Sequence, residues 1–253
     1  MILCNYEILR LLKEGGFGRT YEARHIELDE KACLKQNINL TEKDAALLKQ
    51  EAKLMWKVEH YSLPPIRDFF KAPDSSYVLA MKFIEGRTLE QLIEQHQALE
   101  PEEVCWVAQR SLNVLYYLHA KGIVHGDIKP SNLIVKPKTN EVFLLDYGLS
   151  TIRPRYNTKA EGYTPCFVAP EVKNGNPPLP ESDFYSLGLT LIYAFGGDPL
   201  AKSIPAPVPD LLKKFCISLS HPDPMQRLSW EKQDVIAALS DVRQQVFGRR
   251  ATR

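Results

Sequence analysis

Hydrophobic and polar positions alternate in short runs up to about residue 84. YEILRLL, RTYEARH and KACLKQ, each closed by turn-forming or polar residues, predict an antiparallel meander. Thr41-Glu42-Lys43-Asp44 has the form of a capping box. Ala45, Leu48, Ala52 and Met55 recur behind it on one helical face, so a helix is predicted to run to about Glu59. IRDFFKA and SYVLAMKF predict two more strands. After Glu85-Gly86-Arg87 the period lengthens: TLEQLIEQH and PEEVCWVAQRSLNVLYYLHAKG predict helices, the second with proline in its first turn and glycine at its end. The change predicts an α+β chain of two lobes, 1–84 and 85–253, with a small antiparallel sheet and one helix in the first, a larger helical second lobe and a cleft between them. Prolines at 177, 178 and 180, and at 199, 205, 207 and 209, mark expected irregular loops.

Composition narrows the function classes. The 253 residues are 44% hydrophobic, enough for a sizeable core. Thirty-two basic against 31 acidic residues leave a net charge of +1, which points neither to nucleic acid nor to an anionic membrane. Five scattered cysteines without a CxxC pair predict no disulfide framework and no zinc knuckle, hence a reducing cytoplasm. The start MILCNYEILR has no signal-peptide pattern, and the longest apolar run, LGLTLIYAFGG, is too short to span a bilayer, so a soluble chain is expected.

Three stretches carry candidate chemistry. KEGGFGRTYEA has glycines at 15, 16 and 18 and Phe17 at its tip; such a loop can fold over phosphates, and equally it can be a plain glycine-rich hairpin turn. Lys35 ends the strand ACLK, where a lysine is usually solvated. Paired with Glu51 on the apolar-faced helix, it would instead be held in place for an anionic phosphate. In HGDIKPSNL, Asp127 can accept a proton from a hydroxyl, Lys129 can neutralise charge on a transferred group, and Asn132 offers a neutral oxygen to a hard cation. Fourteen residues on, Asp146 in LLDYG follows an apolar strand and can bind that cation through its carboxylate; oxygen-only ligands suit magnesium.

Over residues 6 to 240 the chain resembles a eukaryotic-type (Hanks-type) protein kinase. The glycine loop, ACLK, HGDIKPSN, DYG and APE at 169–171 follow the order of that family's motifs. DFYSLG from Asp183 resembles the segment that anchors the catalytic loop, and Arg227 is placed to pair with Glu171. The run GGFGRTY is similar to bacterial, especially cyanobacterial, members. The resemblance implies ATP and Mg²⁺ as cofactors. It makes Asp127 the group that orients the substrate hydroxyl, Asn132 and Asp146 the metal ligands, Lys35 (fixed by Glu51) the holder of the α- and β-phosphates, and Lys129 the stabiliser of the γ-phosphoryl group. It also implies a nucleotide site of Leu12, Gly15, Gly16, Phe17, Gly18, Thr20, Cys33, Ile134 and Asp146, with Met81 guarding its back and backbone bonds to adenine at Lys82 and Ile84. Met55, Ile66, His125 and Tyr147 match the stacked positions that join the lobes in active kinases, and they fit plain core residues equally well. Lys129 and Thr164 favour protein serine or threonine as acceptor. A nucleotide-binding scaffold without catalysis and a small-molecule kinase stay open as alternatives.

Several positions depart from the family pattern. Gly126 stands where many relatives carry an arginine that captures a phosphate on the activation segment, so activity is expected without phosphorylation of Ser150, Thr151, Tyr156 or Thr158. Arg153, Arg155 and Lys159 can bind an acidic substrate or form a solvated basic loop. Lys13 replaces the usual first loop glycine, and Tyr147 replaces Phe with a hydroxyl that needs a partner. Only 44 residues separate Asp183 from Arg227, which implies a trimmed lobe and substrate recruitment by another surface or by a fused or bound domain. The end VRQQVFGRRATR fits a solvated helix end or a linker remnant.

Overall fold

β-branched and aromatic residues at period two build the first part of the chain into a sheet. The computed structural model describes residues 1–15 and 18–251 and divides into two units, Met1–Glu85 and Gly86–Arg253. In the first unit the strands are β1 (Ile2–Leu3), β2 (Tyr6–Gly15), β3 (Gly18–His25), β4 (Glu30–Gln36), β5 (Ile66–Lys71) and β6 (Tyr77–Lys82). They form one antiparallel sheet in the order β1-β2-β3-β4-β6-β5. β6 lies between two neighbours and is buried at Val78, Leu79, Ala80 and Met81, whereas β2 is exposed along most of its length. On one side Tyr6, Tyr21, Ala23, Ala32, Leu34, Val78 and Ala80 pack into a core, with Ile8 and Phe70 against them.

The helix α1 (Glu42–Met55) starts where its cap predicts: the Thr41 hydroxyl accepts the Asp44 N–H at 3.1 Å. It buries Leu48, Ala52, Leu54 and Met55. It stops four residues short of the expected Glu59 because the chain tightens, with Lys57 and Val58 N–H donating three residues back to Leu54 and Met55 carbonyls.

The second unit opens with β7 (Arg87–Thr88) and α2 (Leu89–His96), where Thr88 and Gln91 close a capping box. α3 (Pro101–Ala120) follows, with Pro101 at its first turn, then β8 (Ile123–Val124), β9 (Leu133–Lys136), β10 (Glu141–Leu144) and β11 (Thr151–Ile152). Two small sheets, β10-β9-β7 and β11-β8, frame the loop between β8 and β9. The helices α4 (Pro170–Lys173), α5 (Pro180–Ala194), α6 (Asp210–Leu219) and α7 (Val235–Phe247) complete the unit. Pro180, expected in an irregular loop, is instead the first helical residue of α5, where its missing N–H costs nothing. α5 is buried all round, at Phe184, Leu187, Leu191 and Ile192 among others. From Phe195 to Pro209 there is no helix; α6 is the one α-helix between α5 and Arg227 among the described residues.

Candidate functional site

The register of the first unit decides which side chains share a face. Residues directly opposite in an antiparallel ladder point to the same side. Thr20 is opposite Lys35, Lys35 opposite Leu79, and Cys33 opposite Met81, so Thr20, Cys33, Lys35 and Met81 line one face. Lys35 Nζ donates to both carboxylate oxygens of Glu51 on α1, at 2.9 and 2.7 Å. Glu51 is 3% exposed, and a carboxylate buried to that degree requires such a partner. Ile84 is buried and Leu12 is 40% exposed. Lys82 donates its N–H to the Pro65 carbonyl at 2.9 Å, so a ligand meeting its backbone has the carbonyl to use.

In the glycine loop, Gly15 has open space where a side chain would stand, whereas a Cβ on Gly18 would lie 2.2 Å from the Gln36 carbonyl oxygen. Gly18 is therefore obligatory and Gly15 is not. Gly16 and Phe17, both expected to cover a nucleotide, lie outside the described residues. Lys13 is exposed and sits opposite Thr20.

In the second unit the loop after β8 is built on α5. The carboxylate of Asp183, 1% exposed, accepts the backbone N–H groups of His125 and Gly126, each at 2.8 Å. Gly126 turns the chain with φ +79°, and a Cβ there would meet the Leu149 carbonyl oxygen at 2.7 Å. His125 is fully buried and accepts the Asp127 N–H on Nδ1, so Nε2 carries the proton and donates to the Leu145 carbonyl at 3.1 Å. Burial holds its pKa below the ordinary range, consistent with this neutral form. Its ring meets Tyr147 edge-on at 5.0 Å, and the Tyr147 hydroxyl points at the Leu144 carbonyl at 3.4 Å.

Asp127 is the hub of the loop. Thr164 donates its hydroxyl to Asp127 Oδ1 at 2.6 Å, while Lys129 Nζ lies 2.7 Å from Oδ2 and donates to the Thr164 oxygen at 2.8 Å. Asn132 donates its amide to Asp127 Oδ2 and to the Asp127 carbonyl at 2.9 and 2.8 Å. With both bonds made from Nδ2, the Asn132 Oδ1 is turned away from Asp127. The Leu145 N–H donates to the Asn132 carbonyl at 2.9 Å, which ties Asn132 to the residue before Asp146. Asp146 is half-buried with φ +64°, and Gly148 N–H donates to its Oδ1 at 3.3 Å. Ile134, on β9 two residues beyond Asn132, is half-buried and pairs with Phe143. No group of three His, Cys, Asp or Glu able to cage a metal occurs among the described residues. The Asn132 amide oxygen and the Asp146 carboxylate are hard donors too few to enclose an ion, which fits Mg²⁺ completed by phosphate and water oxygens.

Three residues of this scaffold have no local signal in the sequence. His119 joins the anchor by donating Nε2–H to Asp183 at 2.8 Å, its tautomer fixed by Trp230, whose indole N–H donates to Nδ1 at 2.9 Å. Ser182 donates to Glu171 at 2.6 Å. These contacts cross 64, 111 and 11 residues of chain, beyond any periodic pattern. Ser150, expected to be open to modification, is 5% exposed with its hydroxyl on the His125 carbonyl. Pairing of β11 with β8 draws it inward.

Residues 6–236 match the model of the protein kinase domain. The chain is 30% identical over 210 residues to the serine/threonine-protein kinase pkn3 of Myxococcus xanthus, covering 78% of this chain and 38% of that protein. It is 31% identical over 217 residues to serine/threonine-protein kinase F of Synechocystis, covering 76% and 44%. It is 29% identical over 246 residues to serine/threonine-protein kinase 36 of Pongo abelii, covering 89% and 18%. The chain thus spans less than half the length of these relatives. An Asp127 hub anchored by Asp183, a Lys35–Glu51 pair and the match over 6–236 lead to one conclusion: the chain belongs to the protein kinase domain family.

Proposed function

We propose that this chain transfers the γ-phosphoryl group of ATP to serine and threonine hydroxyls of protein substrates, with Mg²⁺. The observation that carries the reading is the Asp127 carboxylate, held by Thr164, Lys129 and Asn132 at 2.6 to 2.9 Å. In the transfer the acceptor oxygen bonds to the γ-phosphorus, the bond to the β–γ bridging oxygen breaks with its electron pair leaving on ADP, and the hydroxyl proton passes to Asp127. Lys129 offsets charge on the moving phosphoryl group. Thr164, bonded to both, sets the distance between base and cation. Lys35, oriented by Glu51, is the cation for the α- and β-phosphates. Asn132 and Asp146 would hold the Mg²⁺, which when bound neutralises the charge of the β- and γ-phosphates.

The protein acceptor is favoured by Thr164 and the APE segment, whose Glu171 is fixed by Arg227. Cytoplasmic operation is consistent with five cysteines that form no disulfide. Among the described residues no helix is long and apolar enough to cross a membrane. A regulatory or recruiting domain, fused or bound, fits the part-length match to relatives.

The test is transfer of labelled γ-phosphate from Mg-ATP to a generic protein substrate. Asp127→Asn is expected to lower kcat by about 10²- to 10⁴-fold, the usual contribution of a positioned base, with circular dichroism unchanged. Equal turnover by wild type and variant would overturn the assignment.

A further inference from the structure

The segment between Asp146 and Thr164 is tied at its two ends to the catalytic loop and to the strand before it. Ser150 donates to the His125 carbonyl at 3.0 Å, β11 pairs with β8, Arg153 N–H donates to the Gly122 carbonyl at 2.6 Å, and Thr164 ends on Asp127. Whatever approaches Asp127 from this side meets that segment. Its charge is distinctive: Arg153, Arg155 and Lys159 stand against one carboxylate, Glu161, in a chain of net charge +1. All three cations are exposed, and none of them has a carboxylate within ion-pair distance among the described residues. Other exposed cations, such as Lys49, Lys53 and Lys173, likewise stand without an ion pair among the described residues. What sets Arg153, Arg155 and Lys159 apart is that they lie on the segment whose two ends are hydrogen-bonded to the Asp127 loop and the strand before it.

The backbone under the cations is organised. The Arg153 stem lies over Gly122, where an added Cβ would come within 2.9 Å of Arg153 Cγ. Arg155 N–H donates to the Thr158 hydroxyl at 2.7 Å, forming a turn that leaves Tyr156 92% exposed between the charges. Gly126, next to the catalytic Asp127, offers no arginine to compete for an anion arriving here.

We propose that Arg153, Arg155 and Lys159 select the substrate: they receive carboxylates flanking the acceptor hydroxyl, so the preferred substrates are serines and threonines in acidic peptide segments. The inference rests on the kinase reading and deepens it to a substrate class. Three exposed ion pairs of ordinary strength multiply to roughly tenfold in kcat/KM, and the effect should fade with salt because exposed charges are screened over about 10 Å at 0.1 M.

The experiment compares short peptides with a central serine flanked by aspartates, by alanines or by lysines, in low and high salt. The expected order of kcat/KM at low salt is acidic over neutral over basic, with about a tenfold span that shrinks as salt rises. The triple variant R153Q/R155Q/K159Q should flatten the order while keeping turnover of the neutral peptide, and R153E/R155E/K159E should reverse it. Equal use of the three peptides by wild type, or an unchanged acidic preference in the charge-reversed variant, overturns the inference while Asp127-dependent transfer leaves the kinase reading standing. Absence of Asp127-dependent transfer to every peptide, with no Asp127-dependent ATP hydrolysis, overturns both.

Discussion

At the scale of single residues, Gly126 shows how a missing side chain serves the backbone. Its φ of +79° and the Leu149 carbonyl 2.7 Å from a would-be Cβ make glycine the residue this turn accepts without strain. The anchoring of the loop is carried by Asp183 through backbone N–H groups, which needs no side chain at 126. With no arginine beside Asp127, a phosphate on the segment has no partner there to organise the site. Of the four hydroxyls named above, Ser150 is bonded inside and Thr151 Oγ1 is buried, which leaves Tyr156, 92% exposed, and Thr158. A Tyr156→Phe/Thr158→Ala double variant is therefore expected to keep kcat within about twofold of wild type, a change well under the 1.4 kcal/mol that a tenfold loss represents. Loss of turnover with an intact circular dichroism spectrum would show that modification of this segment is required.

At the scale of elements, the ion pair between Glu171 on α4 and Arg227 ahead of α7 holds distant segments together. Arg227 gives both guanidinium nitrogens to the carboxylate, at 2.6 and 2.7 Å, and Ser182 on α5 adds a third bond. Burial alone would raise the Glu171 pKa, but the Arg227 and Ser182 hydrogen bonds outweigh it and hold the group below its ordinary value. A carboxylate shifted down stabilises the fold above its unfolded value of 4.5 and loses that stabilisation as pH falls through the lower folded value. Glu171→Gln leaves Arg227, 1% exposed, without its countercharge and should cost roughly 3 kcal/mol near pH 7. Thermal midpoints measured from pH 7 down to pH 3 should differ most between wild type and variant at neutral pH and converge in acid. A constant gap across the range would refute the linkage. This pair was legible in the sequence because two motif positions fixed its ends. Ser182 was not, since a serine on a buried helix announces nothing about what it faces. The early end of α1 was likewise hidden: the apolar spacing continues past Met55, and the tightened turn at Lys57 and Val58 arises from backbone bonds that spacing does not encode.

At the scale of the molecule, two units carry complementary parts of the proposed chemistry, Lys35 with Glu51 in the first and the Asp127 loop with Asp146 in the second. Most of this was readable because strands, caps and motif residues are local: Thr41, Thr88 and Pro101 mark helix starts in the sequence as they do in the fold. The His119–Asp183 anchor beneath Asp127 was not, since it depends on packing of α3 against α5 over 64 residues of chain. If the folded chain binds Mg-ATP, the ligand must stabilise it by mass action, and the metal-dependent part should run through Asn132 and Asp146. A ligand at a hundred times its Kd adds about 2.7 kcal/mol to folded-state stability. For a chain of this size that raises the thermal midpoint by roughly 5 to 10 °C, taking about 2 to 4 °C per kcal/mol. We expect Mg-ATP to produce a shift of that order in wild type and ATP with chelator a smaller one. Asp146→Ala should reduce the Mg-ATP shift to the size seen with chelator, while Asp127→Asn, which removes the base and not the ligand, should retain it. An Asp146→Ala protein that kept the full Mg²⁺-dependent shift would remove Asp146 from the metal site.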